Sequence, residues 1–274
     1  MDKKVVGVTG AKGLIGEVVV KILKEKGYVV KDERVEVSDM RAVLKFAKDC
    51  DYLIHLAVEM DMSKDKEVFE KTNVVGVKNI LNCKGPKIVM VSSVVALQYP
   101  KGNTGNYYVD TKVTGLNLTR KSKNKVVTVM PSVVIDSKTL LKKIVPSGSW
   151  WMNSVWNSLG GGIPGGIMSA IGDKNRIINM VEVNDVACGI VLAMEKGELG
   201  EEYILAGENI KVIDQLQKMS ALLNKKYLKI RIPYWLVNLY NIYCGKKMIV
   251  EPVGMNFNSN KAIKELGYKI NWHL

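Results

Sequence analysis

The run Val5-Val6-Gly7-Val8-Thr9-Gly10-Ala11-Lys12-Gly13-Leu14-Ile15-Gly16 sets three glycines at G-x-x-G-x-x-G spacing behind an apolar stretch, at the start of a 274-residue chain. It reads as a strand, a tight turn and a helix from Glu17 to Lys26 that Gly27 closes. Glycines in such a turn carry no Cβ to obstruct a closely approaching ligand, and a new helix presents unpaired N–H groups and the positive end of its dipole. A pyrophosphate suits that combination. The plainer alternative is a strand-to-helix turn that simply needs glycine. The clean strand before it and the helix after it favour a dinucleotide.

A chain of this length can bury a full core, either as one large α/β domain or as a nucleotide domain with a smaller lobe. The second arrangement is expected: residues 1–140 as the nucleotide-binding domain, with some later segments returning to it, and 141–274 mainly as a substrate-binding lobe. Cys50, Cys83, Cys188 and Cys244 lie far apart, and His55 and His273 are the only histidines, so neither a metal site nor a disulfide framework is expected. A reducing cytoplasm fits that cysteine usage, and no charged and then apolar leader precedes the first strand. Lysine and arginine outnumber acids 40 to 27, a formal charge of +13, which favours anions of any kind. Many of these lysines (Lys21, Lys24, Lys26, Lys45, Lys48) sit singly on helix faces, where solvation explains them. No zinc finger, aromatic RNA-binding strand or dense basic helix supports a nucleic-acid partner.

After Gly27 a second strand, Tyr28-Val29-Val30, runs into Lys31-Asp32-Glu33-Arg34. In a nucleotide-binding α/β sheet the end of the second strand faces the adenosine ribose, where an acid favours a free 2′-hydroxyl and a base tolerates a 2′-phosphate. This cluster offers both. Val35-Glu36-Val37 reads as a short third strand, and Ser38-Asp39 caps a helix from Met40 to Asp49. The apolar run Asp51 to Ala57 reads as a buried parallel strand in which His55 is structural. A helix from about Lys66 carries Asn73-Val74-Val75-Gly76, and a strand from Lys87 to Val91 ends in Ser92-Ser93. Repeated strand-helix alternation implies right-handed crossovers and a doubly wound parallel sheet. A polar loop, Lys101 to Asn106, leads to a helix on which Tyr108 and Lys112, four residues apart, share a face.

From Ile144 to Gly172 no residue is charged, and the stretch holds Trp150, Trp151, Trp156 and the run Gly160 to Gly166. A membrane span needs ~20 apolar residues, but the asparagines, serines, glycines and Pro164 argue against one. A substrate-lobe helix and lid is the preferred reading, with membrane contact the less favoured one. In Ile232 to Gly245, Trp235, Leu236, Leu239 and Tyr243 recur at helical spacing, a stripe expected to face a core.

Taken in order, Thr9 to Gly16, His55-Leu56-Ala57, Asn73-Val74-Val75-Gly76, Val91-Ser92-Ser93, Tyr108-x-x-x-Lys112 and Pro131-Ser132-Val133-Val134 resemble the motif set of the extended short-chain dehydrogenase/reductases. Met180 to Ala187, Gly200 to Asn209 and Lys261 to Tyr268 are similar to the NAD-dependent epimerase/dehydratase family and its dihydroflavonol-reductase-like branch. The resemblance spans nearly the whole chain. It implies a Rossmann-type domain, NAD(H) or NADP(H), and a catalytic Ser93, Tyr108 and Lys112. By position, Gly10, Lys12, Gly13, Leu14, Ile15 and Gly16 would surround the pyrophosphate, and Asp32 and Arg34 the ribose, with Asp39 and Met40 on that side. Leu56, Ala57, Asn73, Ser92, Pro131 and Val133 would line the cofactor channel together with Tyr108 and Lys112. A lysine one helical turn away adds a positive charge that favours the Tyr108 phenolate, the family implies that Lys112 also holds the nicotinamide ribose, and Asn73 is expected to support a water relay to Lys112. Where relatives often read Arg-Pro-x-x-Val-Tyr-Gly-Pro, this chain has Met130-Pro131-Ser132-Val133-Val134-Ile135-Asp136. Arg176 stands near a phosphate-binding position of sugar-nucleotide enzymes at an ill-fitting offset and is not assigned.

The expected protein is therefore α/β, a Rossmann-type doubly wound sheet with a smaller C-terminal lobe, and a cytoplasmic NAD(P)-dependent oxidoreductase. It would move hydride between the nicotinamide and a secondary alcohol or ketone. A nucleotide-sugar epimerase or dehydratase is the alternative, and a noncatalytic dinucleotide-binding protein a second one. The partner is a small-molecule substrate, and the class admits a homodimer.

Overall fold

The computed structural model describes residues 3–61, 63–137, 167–171, 173–222, 226–233 and 254–271, together with Trp235, Leu236, Leu239 and Tyr243. Most of the uncharged segment 144–172, and with it Trp150, Trp151, Trp156 and the lid reading, lies outside the described residues; only 167–171 of it is described, as a strand.

Six strands form one parallel sheet. In chain order they are β1 (Val5–Thr9), β2 (Val29–Lys31), β3 (Tyr52–His55), β4 (Lys87–Val91), β5 (Val126–Pro131) and, after three further strands, β9 (Glu202–Leu205). Their spatial order is β2-β1-β3-β4-β5-β9, every pair parallel, which gives a Rossmann-like α/β fold. The near-continuous apolar runs follow from burial on both faces, because alternate side chains go to opposite sides. Val89 and Val91 join one core with Val6, Val8 and Ile54, whereas Ile88 and Met90 join the other with Leu53. The first core is closed by α1 (Leu14–Glu25), through Val19, Val20 and Leu23. The second is closed by α2 (Met40–Ala47), through Val43 and Phe46.

Three local expectations change. Val35-Glu36-Val37 is not a strand: Asp39 N–H donates to Glu36 O at 3.0 Å, and the Asn79 side chain donates to Val37 O at 2.9 Å. Its alternation arises because Val37 is buried against α2 and β3, so hydrophobicity is satisfied without a ladder. The helix expected from Lys66 is composite: α3 (Lys66–Glu70), a π-helical turn Lys71–Val75 and α4 (Gly76–Leu81). The stripe expected to face a core does not: Trp235 is 61 % exposed and Tyr243 90 %, with Leu236 and Leu239 also exposed. Helical spacing groups side chains on one face but carries no information about what covers that face.

The remaining elements are α5 (Val95–Gln98), α6 (Tyr107–Arg120), β6 (Val133–Ile135), β7 (Ile167–Ile171), β8 (Ile177–Glu182), α7 (Val183–Lys196), β10 (Glu208–Lys211), α8 (Val212–Leu222), β11 (Lys226–Ile232) and α9 (Asn260–Leu266). The chain forms two compact units. The first comprises Met1–Asp136, Val181–Gly207 and Asn258–His273, so α7, β9 and α9 return to the parallel sheet. The second comprises Ser137–Met180 and Glu208–Phe257, with Leu274. In it β10 pairs antiparallel with β8 and β11 parallel with β7.

Candidate active site

At the carboxyl end of β1 the chain turns on glycine. Gly10 has φ +72°, and a Cβ there would stand 2.6 Å from Ala57 N. A Cβ on Gly16 would stand 2.2 Å from Gly10 O, so the helix can press against the turn only without a side chain. Gly13 N–H donates to Gly10 O at 3.0 Å, and Gly13 is the N-cap of α1. Leu14 and Ile15 open that helix, Leu14 exposed and Ile15 packed on the core. The result is a cradle of bare backbone at a helix N-terminus, which fits a dinucleotide pyrophosphate.

Asp32 follows β2 directly. Its carboxylate accepts from Lys24 Nζ at 2.9 Å, and Lys24, with Lys12 adding a smaller contribution, holds its pKa below the usual carboxylate range. Lys12 of the glycine turn is thus electrostatically coupled to Asp32, while Arg34 is exposed. Asp39 has a local task, because its Oδ1 accepts from Arg41 N at 2.8 Å and Ala42 N at 3.3 Å as the cap of α2, with Met40 as the first helical residue.

Ser92 and Ser93 follow β4, and Tyr108 and Lys112 lie on α6. That helix begins at Asn106, whose side chain accepts from Val109 N at 3.2 Å. The preceding loop is pinned by Asp110, which accepts from Thr104 N at 2.8 Å and Thr104 Oγ1 at 3.0 Å. Lys112 Nζ donates to Val91 O at 3.2 Å and lies 5.9 Å from the centre of the Tyr108 ring. Burial drives the Lys112 pKa down to about 8. The Tyr108 pKa is raised, contrary to the expectation, because burial of the phenol outweighs the Ser93 hydrogen bond that pulls it down. Tyr107 turns elsewhere: its ring packs on Phe69 at 6.0 Å, and its carbonyl accepts from Thr111 Oγ1 at 2.7 Å.

Asn73 sits in the π-helical turn, 4 % exposed. Its Oδ1 accepts from Glu59 N at 2.7 Å, and Nδ2 donates to Glu59 O at 3.0 Å and to Thr111 Oγ1 at 3.1 Å. Both amide hydrogens are spent, so the side chain ties the segment after β3 to α6 and has no hydrogen left for the expected relay. Leu56 and Ala57 follow β3 and are partly buried on opposite cores. Pro131 ends β5 opposite Leu205, and Val133 begins β6.

The structure brings Ser93, Tyr108 and Lys112 together and sets Ser92 and Asn73 among the residues around a small recess beside Lys112. Sequence reading passed over Thr9, fully buried, whose Oγ1 lies 2.7 Å from His55 Nδ1 and accepts from Ala57 N at 3.4 Å. A hydroxyl as the last residue of an otherwise apolar strand was the available signal. Cys50 and Cys83 are buried and Cys188 is exposed, while Cys244 lies outside the described residues. Among the described residues no His, Cys, Asp and Glu cluster could hold a metal, and no helix is long and apolar enough to cross a membrane.

Residues 6–117 match the model of the NAD dependent epimerase/dehydratase family. A Synechocystis sp. protein whose name assigns it, provisionally, to dihydroflavonol 4-reductase is 24% identical, over 95% of this chain and 88% of its own. Among solved structures, gox2253 is 25% identical with a TM-score of 0.73, covering 98% of this chain and 94% of that one. A short-chain dehydrogenase/reductase superfamily protein from Agrobacterium tumefaciens, solved with bound NAD, has the same fold at 18% identity and TM-score 0.73, covering 98% and 93%.

Proposed function

We propose that this chain, whose residues 6–117 match the NAD dependent epimerase/dehydratase family, is an NAD(P)-dependent oxidoreductase acting on a secondary alcohol or ketone. The observation that carries this reading is the convergence of Ser93, Tyr108 and Lys112, with the lysine ammonium 5.9 Å from the phenol ring. The cradle left by Gly10 and Gly16 fits a dinucleotide pyrophosphate, and Asp32 and Lys12 flank the place of its adenosine ribose. Since Asp32 suits a ribose diol and Lys12 a 2′-phosphate, both NAD(H) and NADP(H) are accepted with a modest preference.

When bound, the nicotinamide supplies or removes hydride at the carbon of the substrate. The chain's own residues manage the oxygen. Tyr108 gives its phenolic proton to the carbonyl oxygen as the alcohol forms, or takes it back in the reverse direction. Ser93 hydrogen-bonds and orients that oxygen. Lys112 stabilises the phenolate left behind, which burial alone would disfavour. The cytoplasm is the setting in which its buried thiols stay reduced.

The reductase reading is preferred to a nucleotide-sugar epimerase or dehydratase because the full-length relative bears a reductase name. The two differ in a direct observable. A reductase consumes added NAD(P)H in proportion to product, whereas an epimerase recycles its cofactor with no net absorbance change. The decisive variant is Tyr108→Phe, which should lower turnover roughly a hundredfold to ten-thousandfold with cofactor affinity intact, while Tyr107→Phe is mild. Full activity of Tyr108→Phe with loss in Tyr107→Phe overturns the assignment.

A further inference from the structure

Behind Lys112 lies a recess of about 20 Å³, lined by His55, Asn73, Ser92, Thr111 and Lys112 among others. One water needs roughly 10–15 Å³ measured this way, and it needs polar partners. Two are present and otherwise unused. His55 Nε2 and Ser92 Oγ, on side chains 2 % and 8 % exposed, find no hydrogen-bond partner among the described residues. A buried polar atom left unsatisfied is costly, so two beside one water-sized space point to a shared bridge.

The bonding around Thr9 sets the polarity of that bridge. Thr9 Oγ1 accepts from Ala57 N, and His55 Nδ1 at 2.7 Å is the acceptor within reach of its own hydrogen among the described residues, which assigns that hydrogen to Nδ1. With that assignment the imidazole carries its proton on Nε2, a donor unpartnered among the described residues, on a side chain that lines the recess. Asn73 offers no hydrogen there, since both are used by Glu59 O and Thr111 Oγ1. Lys112 donates one N–H to Val91 O and has others to give.

We propose that the recess holds one buried water that accepts from His55 Nε2–H and from the Lys112 ammonium and donates to Ser92 Oγ, making His55 a positioning residue for Lys112. The chain runs from Thr9 on β1 through His55 on β3 to the water, with Ser92 after β4 closing one side and Lys112 on α6 the other. Neutral His55 adds no charge beside the ammonium, and the water replaces hydration that Lys112 loses on burial. The inference rests on the assignment of Lys112 to the active site, but its test reads no turnover.

The test is a crystal structure of the full chain at a resolution that orders internal waters, with ¹⁵N spectra of histidine-labelled protein. There are two histidines, so His273→Gln assigns the His55 signals. The expected result is a water within hydrogen-bond distance of His55 Nε2, Ser92 Oγ and Lys112 Nζ, and a His55 protonated on Nε2. In His55→Leu the water should be gone and Lys112 Nζ should leave Val91 O, whereas His55→Gln, which retains a donor, should restore both. If His55→Leu does not fold, Ser92→Ala removes the water's acceptor and should lower its occupancy with His55 unchanged. A dry recess in the wild type, a His55 protonated on Nδ1, or a Lys112 that keeps its place in the variant without the water overturns the proposal. An inactive protein that retains the water would count against the oxidoreductase reading alone.

Discussion

Acid should loosen this protein through His55. The imidazole is 2 % exposed, and burial, reinforced by the Lys112 charge, drives its pKa from 6.5 down to about 3. In the unfolded chain it titrates near its ordinary value of about 6.5. Below that pH the unfolded state takes up a proton that the folded state refuses, so the unfolded state binds more protons and stability falls as the pH falls. The loss begins near pH 6.5 and continues until the folded pKa is reached. At pH 5 the folded imidazole is still neutral, so the loss depends almost wholly on the unfolded value. Each pH unit is worth about 1.4 kcal/mol, which gives a loss of about 2 kcal/mol at pH 5 and about 3 kcal/mol at pH 4. His55→Gln supplies the comparison, because it cannot titrate and its packing cost is the same at every pH. Urea unfolding of both proteins at pH 7 and pH 5, at fixed ionic strength, should show the wild type losing about 2 kcal/mol more than the variant over that interval. A difference below about 0.5 kcal/mol, near the resolution of the extrapolation, would refute the buried neutral imidazole.

Gly16→Ala forces a Cβ to 2.2 Å from Gly10 O and should cost about 3 kcal/mol in a denaturation experiment while weakening dinucleotide binding; Gly27→Ala, at φ +84° in open space, should cost only about 1 kcal/mol. Asp32→Asn removes the acid that Lys24 holds and should shift the NADPH-to-NADH affinity ratio by about tenfold toward NADPH, as read by fluorescence titration of both; an unchanged ratio would show that this carboxylate does not face the ribose. Asn73→Leu removes three hydrogen bonds to Glu59 and Thr111 and should lower stability by about 2 kcal/mol, with amide exchange at Glu59 accelerated. Exchange at Glu59 as slow as in the wild type would mean that Asn73 does not pin that segment.

What the chain shows locally could be read from it directly. The glycine spacing from Gly10 to Gly16 encodes a turn and a close approach, because the physics is the lack of a Cβ at three positions. The two-faced strands around Val89 and Ile54 encode burial on both sides, and the interval from Tyr108 to Lys112 encodes one helical turn. Asp39 was legible as a cap for the same reason, since its partners lie two and three residues away. The stripe from Trp235 to Tyr243 is the counterexample, for periodicity defined a face and the structure leaves it exposed. Val35 to Val37 likewise alternates as a strand would, yet among the described residues no neighbour offers it a ladder.

The rest depended on residues far apart in sequence. Thr9 meets His55 across 46 positions, and Asn73 meets Thr111 across 38, so nothing in either neighbourhood announces the bond. The upward shift of the Tyr108 phenol is equally nonlocal: spacing placed a cation near it, but the desolvation that outweighs the Ser93 hydrogen bond comes from everything packed around it. Sequence alone determined the parallel sheet, the glycine turn and the shared helix face of Tyr108 and Lys112, because backbone geometry and side-chain period act over a few residues; Ser93 joined that pair only through resemblance to a known family. Only the tertiary structure decided which buried polar groups are satisfied, since a donor finds its acceptor by proximity in space.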